Sequence, residues 1–180
     1  MQNIKSRIAL RDMTITAIFA AFMCVTAPWT IPVGVVPITL ATFSVYLVSA
    51  TLGWKRGSIA VAIYLMLGFV GLPVFTYFTG GIQKLVGATG GYLVGYIPMV
   101  LVGGFFADKF KKAWAYVVGM VAATAVLYTF GTAWYCIMSG SEIIPAIMAC
   151  VVPFLAGDSV KIACATVLAV KLRPIAERYM

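Results

Sequence analysis

The chain has 180 residues, of which 63% are hydrophobic and only 10% are charged, and its mean hydropathy is +1.04. Soluble domains are roughly half apolar, and a soluble fold of this size could not cover so much apolar surface. The composition therefore predicts an all-α integral membrane protein with one membrane domain, residues 1–180, and no separate soluble domain.

The net charge of +8 comes from 13 lysines and arginines against 5 acidic residues. In a soluble protein this excess would suggest nucleic acid, but here all but two of the cations lie at alternate junctions between apolar runs. The positive-inside rule then predicts six spans with the N and C termini in the cytoplasm. The two exceptions are Lys84 and Lys161.

The first half of the chain predicts three spans. Span 1 covers about 13–26, and three prolines and a glycine in 28–37 then indicate an outer loop. Spans 2 and 3, at about 38–52 and 58–72, flank a tight inner turn. The aromatic and glycine-rich segment 73–81 predicts a second outer loop that dips partly inward.

The second half predicts three more. Span 4 begins near 87–91 and ends before Asp108, and span 5 covers about 113–138. The segment 142–172 is too long for one simple span, and the proline and glycine in 153–157 favour a break there. We expect a short half-buried helix and then span 6, which starts at Gly157 and Asp158.

The ionisable residues inside this last span are the strongest candidates for a site. Asp158 and Lys161 are three residues apart, so they share one face of the expected first turn of span 6. A lysine beside the exposed N–H groups of a helix start favours an anion such as a ligand carboxylate. Asp158 has two roles open to it, because it can cap the helix start or accept hydrogen bonds from ligand N–H groups.

Other features allow two interpretations each. The small residues of the segment 87–92 permit close approach either of another helix or of a ligand, and Tyr92 can stack or donate a hydrogen bond. Gln83 and Lys84 are polar loop residues for which plain solvation is the simpler explanation, although Gln83 is retained as a ligand-binding candidate. Ala17 and Ala21 have the small-xxx-small spacing of either internal packing or a docking face for a partner subunit.

The motifs that are absent from the sequence exclude several activities. The chain has no histidine, no phosphate-binding GxxxxGK[ST] loop and no GxSxG nucleophile motif, so we expect no intrinsic ATPase and no enzyme activity. Its four cysteines have no CxxC spacing, and we expect neither a metal site nor a cofactor.

Two stretches together resemble the BioY family of biotin transporters. They are 71–75 (GLPVF) leading to 87–93 (GATGGYL), and 153–161 (PFLAGDSVK), and the similarity in order and spacing covers nearly the whole chain. The family motifs usually read GPTGGY and PFxPGD, so Ala88 and Ala156 replace prolines and leave the loop conformation and affinity open. Six residues match, namely Thr89, Gly90, Gly91, Tyr92, Asp158 and Lys161.

The resemblance implies the substrate-capture S component of an energy-coupling-factor (ECF) importer in a bacterial cell membrane. In such a six-helix bundle biotin is held near the outer face, where Lys161 would take its carboxylate, Asp158 its ureido ring, and aromatic residues such as Phe75 and Tyr92 would pack its rings. The implied partners are a membrane T component, which would dock on Ala17 and Ala21, and two cytoplasmic ATPase subunits. The alternatives are an S component for another small vitamin, or a membrane scaffold or enzyme subunit.

Overall fold

The computed structural model describes the backbone of residues 2–32 and 37–179 and the side chains of 10–32 and 37–178. The described part of the chain is mainly helical. Its elements in order are α1 (Gln2–Thr26), β1 (Thr30–Ile31), β2 (Ile38–Thr39), α2 (Ala41–Phe69), a 3₁₀ turn (Thr76–Phe78), α3 (Ile82–Val86), α4 (Gly90–Phe110), α5 (Ala113–Ser139), α6 (Ile143–Cys150) and α7 (Val152–Tyr179).

Among the described residues, three segments are long and apolar enough to cross a membrane: Gly90–Phe110, Ala113–Ser139 and Ile143–Arg178, the last of which comprises α6 and most of α7. The expected spans 4 and 5 correspond to α4 and α5. Helix α4 ends later than expected, since Asp108 still lies in its last turn. The helix ends at Lys111, where the backbone is left-handed with φ 47°. The prediction of an all-helical membrane protein is confirmed at this level.

Helix α2 is the centre of the bundle. It packs against α1, α4 and α7, and α4 in turn packs against α5. Every residue from 44 to 53 is buried, and the segment includes Ser44, Ser49 and Ala50, whose small side chains let neighbouring backbones approach. This packing on all sides explains why the first half of α2 lacks the one-sided apolar stripe of a surface helix.

The expected turn between spans 2 and 3 is present as a sharp break at Gly53, where φ is 75° and ψ is −173°. The chain reverses there, so that Gly57 packs back against Val48, and α2 consists of two helical halves, residues 41–52 and 54–69. The carboxylate of Asp108 accepts a hydrogen bond from the Trp54 N–H at 3.2 Å and so caps the second half of the helix. The predicted turn is therefore narrower than 53–57, because a single glycine, followed by a helix that Asp108 of α4 caps, suffices to reverse the chain.

A buried arginine connects this bend to the end of α7. Arg173 is 5% exposed and donates hydrogen bonds to the Ala50 carbonyl, to Asp108 at 2.7 Å and to Glu177 at 3.0 Å. The Nζ atom of Lys111 lies 3.2 Å from the same Glu177 carboxylate. These contacts hold the ends of α4 and α7 against the bend in α2.

The segments at the other end of the bundle also differ from a simple loop. Strands β1 and β2 pair antiparallel, with Thr30 opposite Thr39, so part of the expected outer loop 28–37 is a hairpin, while residues 33–36 lie outside the described residues. The second expected loop does dip inward: Phe75 is fully buried, and its ring meets Tyr64 edge-on at a centroid distance of 5.5 Å.

The break in the last segment lies at Val151, not within 153–157. Proline is tolerated in the first turn of a helix because its missing N–H would have no partner there, so Pro153 lies inside the start of α7. Gly157 is consequently an interior helical residue. The expected short helix before the last span is present as α6.

Replacing Gly53 by alanine should lower the melting temperature of the purified protein in detergent. Its φ and ψ lie in a region that is essentially restricted to glycine, and a Cβ there would clash with the Asp108 carboxylate, so we expect a loss of about 3 kcal/mol. Gly140→Ala is the matched control, since Gly140 has φ 66° and open space around it, and only the left-handed backbone should cost about 1 kcal/mol. Equal losses would contradict the role of Asp108.

Candidate functional site

A cavity of about 180 Å³ lies among α2, α4, α5, α6 and α7, beside the loop before α3 and the β-hairpin. About 10–15 Å³ is enough for one water molecule, so this space can hold a small organic ligand. Aromatic residues form much of its wall, namely Phe75, Tyr77, Tyr92, Tyr96, Tyr128 and Phe154. Its polar lining includes Thr39, Thr42, Lys84, Thr89, Asp158 and Lys161.

A buried ion pair is the main polar feature of this cavity. The Nζ atom of Lys161 lies 2.9 Å from Oδ1 of Asp158, and the two side chains are only 11% and 4% exposed. Thr42 of α2 accepts a hydrogen bond from Lys161 at 2.9 Å and donates one to Asp158 Oδ1 at 3.3 Å. Tyr128 of α5 donates to Asp158 Oδ2 at 2.6 Å. Three helices therefore meet at this pair.

Within the part of the chain that the structure describes, the hydrogen bonds leave one position unused on each partner. A carboxylate can accept about four hydrogen bonds, and Asp158 accepts three, from Thr42, Tyr128 and Lys161. An ammonium group has three donors, and Lys161 uses two of them, toward Thr42 and Asp158. The pair is thus electrically neutral and presents one acceptor next to one donor.

The pair does not lie at a helix start as the sequence analysis expected. Helix α7 begins at Val152, so Asp158 falls in its second turn and Lys161 in its third. Only the first four N–H groups of a helix lack intrahelical partners, so Asp158 is not the cap and the helix dipole adds no anion site here. The ion pair itself, rather than the helix terminus, supplies the polar chemistry.

Three more of the predicted residues reach the same cavity. Phe75, Thr89 and Tyr92 all line it, although they come from the loop before α3 and from the start of α4. The Tyr92 hydroxyl already contacts the Thr132 hydroxyl at 3.1 Å and the Cys150 carbonyl at 3.4 Å. Because its hydroxyl already has these partners, Tyr92 contributes an aromatic ring to the cavity wall rather than a free polar group.

Gly90, Gly91 and Gln83 are not among the described residues that line the cavity. A Cβ at Gly90 would clash with the Leu85 carbonyl, and one at Gly91 would clash with the Trp134 side chain. Of the two interpretations left open for these glycines, the structure favours close packing of α4 against its neighbours.

The sequence analysis did not identify Thr42, Tyr96 and Tyr128 as site residues. They come from helices whose apolar patterns give no sign of which hydroxyl faces inward, so only the packing of α2, α4 and α5 reveals them. Lys84, in contrast, had a signal: it was one of the two cations that broke the charge pattern, and it lines the cavity.

Ala17 and Ala21 lie one turn apart on α1, and both are exposed. Neighbouring Thr16 and Ala20 are buried against the bundle. The two alanines therefore do not pack inside the described part of the chain, and of their two interpretations a docking face is the one that their exposure allows.

A cavity around a buried ion pair in a helical membrane protein is typical of a small-molecule binding protein rather than a scaffold. A sequence model of the BioY family matches residues 1–178, and the chain belongs to this family. The resemblance seen in the two sequence motifs is thereby confirmed.

Individual relatives agree with this assignment. The chain is 39% identical to the biotin transporter BioY of Thermotoga maritima over 92% of its own length and 98% of the relative. It is 32% identical to a probable biotin transporter BioY of Pyrococcus horikoshii, with coverages of 91% and 96%. Because the family and these relatives are transporters, the expectation that the chain is not an enzyme is confirmed.

A solved structure matches the fold as well. The crystal structure at 2.1 Å of the S-component for biotin from an ECF-type ABC transporter superposes with a TM-score of 0.85 and 27% identity. The match covers 97% of this chain and 94% of the other. The bundle therefore has the fold of an S component.

Replacing only Asp158 by leucine should destabilise the protein by about 3–5 kcal/mol, because it leaves Lys161 buried without its carboxylate. Adding Lys161→Met should recover most of this loss, since an apolar pair of similar volume is often neutral or stabilising. Thermal unfolding of the single and double variants in detergent measures both effects. A double variant no more stable than the single one would mean that the pair is a stabilising element, not a functional one.

Proposed function

We propose that this chain is the biotin-capture subunit of an ECF-type vitamin importer and that biotin occupies the cavity around Asp158 and Lys161. The observation that carries the proposal is the neutral buried pair with one free acceptor beside one free donor. The family assignment and the names of the relatives support the choice of biotin over another small vitamin.

The ureido ring of biotin fits this pair. Its edge carries an N–H next to a C=O, which complements the free lone pair of Asp158 and the free N–H of Lys161. Because the ureido group is uncharged, binding it leaves the buried pair neutral. A ligand carboxylate in the same place would put two anions next to one ammonium in a region of low dielectric constant, which is unfavourable.

Lys84 is the better partner for the biotin carboxylate. It lines the same cavity, and no described carboxylate lies within salt-bridge distance of it. A carboxylate near Lys84 would therefore compensate a charge that the protein leaves uncompensated. This arrangement reverses the carboxylate role first expected for Lys161 and keeps the ureido role of Asp158.

The apolar part of the ligand would contact the aromatic wall. Phe75 comes from the loop before α3, and Tyr92 and Tyr96 come from consecutive turns of α4. Pockets of this kind bind mainly through apolar contact and use a few polar groups to fix orientation. Thr89 adds a hydroxyl on the same side of the bundle as Lys84 and can serve the carboxylate as well.

The remaining parts of the proposal concern the membrane and the partners. We place the chain in the plasma membrane of a bacterium with six spans and both termini in the cytoplasm, as the distribution of its lysines and arginines favours. The bend of α2 at Gly53 then lies near the inner surface beside Lys55 and Arg56. A membrane T component and two ATPase subunits would supply the energy, since the sequence has no phosphate-binding loop.

Equilibrium binding of biotin and of biotin methyl ester should separate the two lysines. Lys84→Ala should weaken biotin binding about tenfold and leave the ester nearly unaffected, because the ester has no charge to lose. Lys161→Ala should weaken both ligands by a similar and larger factor, about 100-fold, because it also leaves Asp158 unpaired.

Lys112→Ala, at a junction between helices away from the cavity, is the control and should bind both ligands like the parent protein. Greater selectivity for the ester in Lys161→Ala than in Lys84→Ala would show that Lys161 holds the carboxylate. Unchanged biotin binding in both variants would refute the cavity as the site.

The docking face should respond to bulk without affecting the ligand site. Ala17→Trp combined with Ala21→Trp should abolish co-purification with the T component and ATPase subunits, because close helix contact needs small side chains. Biotin binding to the isolated chain should be unchanged. Val121→Trp on α5, also at an exposed position, is the control and should assemble normally. Normal assembly of the double variant would refute this face.

A further inference from the structure

An apolar groove runs along the outside of the bundle between α1 and α7, apart from the ligand cavity. On α1 it is lined by residues from Arg11 to Phe19, and on α7 by Leu172, Ile175 and Ala176. At 1.5 Å per residue it extends about 12 Å along α1. This is most of the hydrocarbon depth of one leaflet, about 15 Å.

The groove has a charged end. Arg11 lines it, is exposed, and has no described carboxylate within salt-bridge distance. On α7 two more exposed cations, Lys171 and Arg178, lie four residues before and three residues after Ile175 but do not line the groove. Among the described residues, Arg11 is therefore the cation that lines it.

The nearby carboxylates face elsewhere. Asp12 pairs with Arg56 at 2.8 Å, and Glu177 pairs with Arg173 at 3.0 Å, both on the inner side of the α1 and α7 contact. Among the residues whose side chains the structure describes, no acidic residue lines the groove. Arg11 at its end is therefore available to an external anion.

We propose that this groove binds an anionic phospholipid, with the phosphate beside Arg11 and an acyl chain along Ile18, Phe19 and Leu172. The apolar walls complement the acyl chain, and the uncompensated Arg11 complements the headgroup. The lipid would not block the proposed docking face, since Ala17 and Ala21 lie roughly 100° around α1 from the middle of the groove. The site is independent of the proposed biotin function.

Native mass spectrometry of the full chain in detergent tests this proposal. Phosphatidylglycerol should be retained about fivefold more than phosphatidylcholine with the same acyl chains, given the strength of one cation near a lipid phosphate. Arg11→Gln should reduce phosphatidylglycerol retention to the level of phosphatidylcholine. Thr14→Phe, which fills the groove from an exposed position, should reduce retention of both lipids. Lys112→Gln is the charge-matched control and should behave like the parent protein.

Melting temperatures check that the variants remain folded. We expect them to match the parent protein, since Arg11 and Thr14 are both exposed. Glycerol 3-phosphate at the same concentration should not displace the lipid, which distinguishes a lipid site from a phosphate site. Equal retention of the two lipids by the parent protein, or equal losses in Arg11→Gln and Lys112→Gln, would overturn the proposal. A photo-crosslinker at position 18, used in membranes that contain the partner subunits, would also overturn the proposal if it captured a partner helix instead of lipid.

Discussion

The buried pair of Asp158 and Lys161 is the interaction on which the ligand site depends. Two charges inside an apolar bundle carry a large desolvation cost, which is offset only when both are paired and hydrogen-bonded. Thr42 and Tyr128 complete those bonds, so α2 and α5 must approach α7 at this level. The same described contacts leave one donor and one acceptor of the pair unused, so packing and the proposed recognition have a common cause.

The second ion-pair system lies at the opposite end of α7. Arg173 lies 15 residues beyond Asp158, about 22 Å along the helix, and connects it to the bend of α2 at Gly53 and to Asp108 at the end of α4. Helix α7 is therefore fixed at both ends by charge, while its middle packs through small and apolar side chains.

The sequence predicted the membrane class, the family and the ion pair, because hydropathy, charge spacing and intramembrane charges depend only on residue type. It failed where a contact between distant segments decides the local structure. The turn expected over 53–57 narrows to Gly53 because Asp108 caps the helix that follows, and Pro153 looks like a break although it fits the first turn of α7. Likewise, which hydroxyls reach the ion pair, Thr42 and Tyr128 among them, follows only from how the helices pack.

The central claim is that the cavity is a biotin site, complete in this chain alone. Isothermal titration of the purified chain, without other subunits, against biotin, thiamin and riboflavin tests it most directly. The account predicts one saturable biotin site per chain and no heat of binding for the other two vitamins. Absence of biotin binding together with tight binding of thiamin or riboflavin would contradict it.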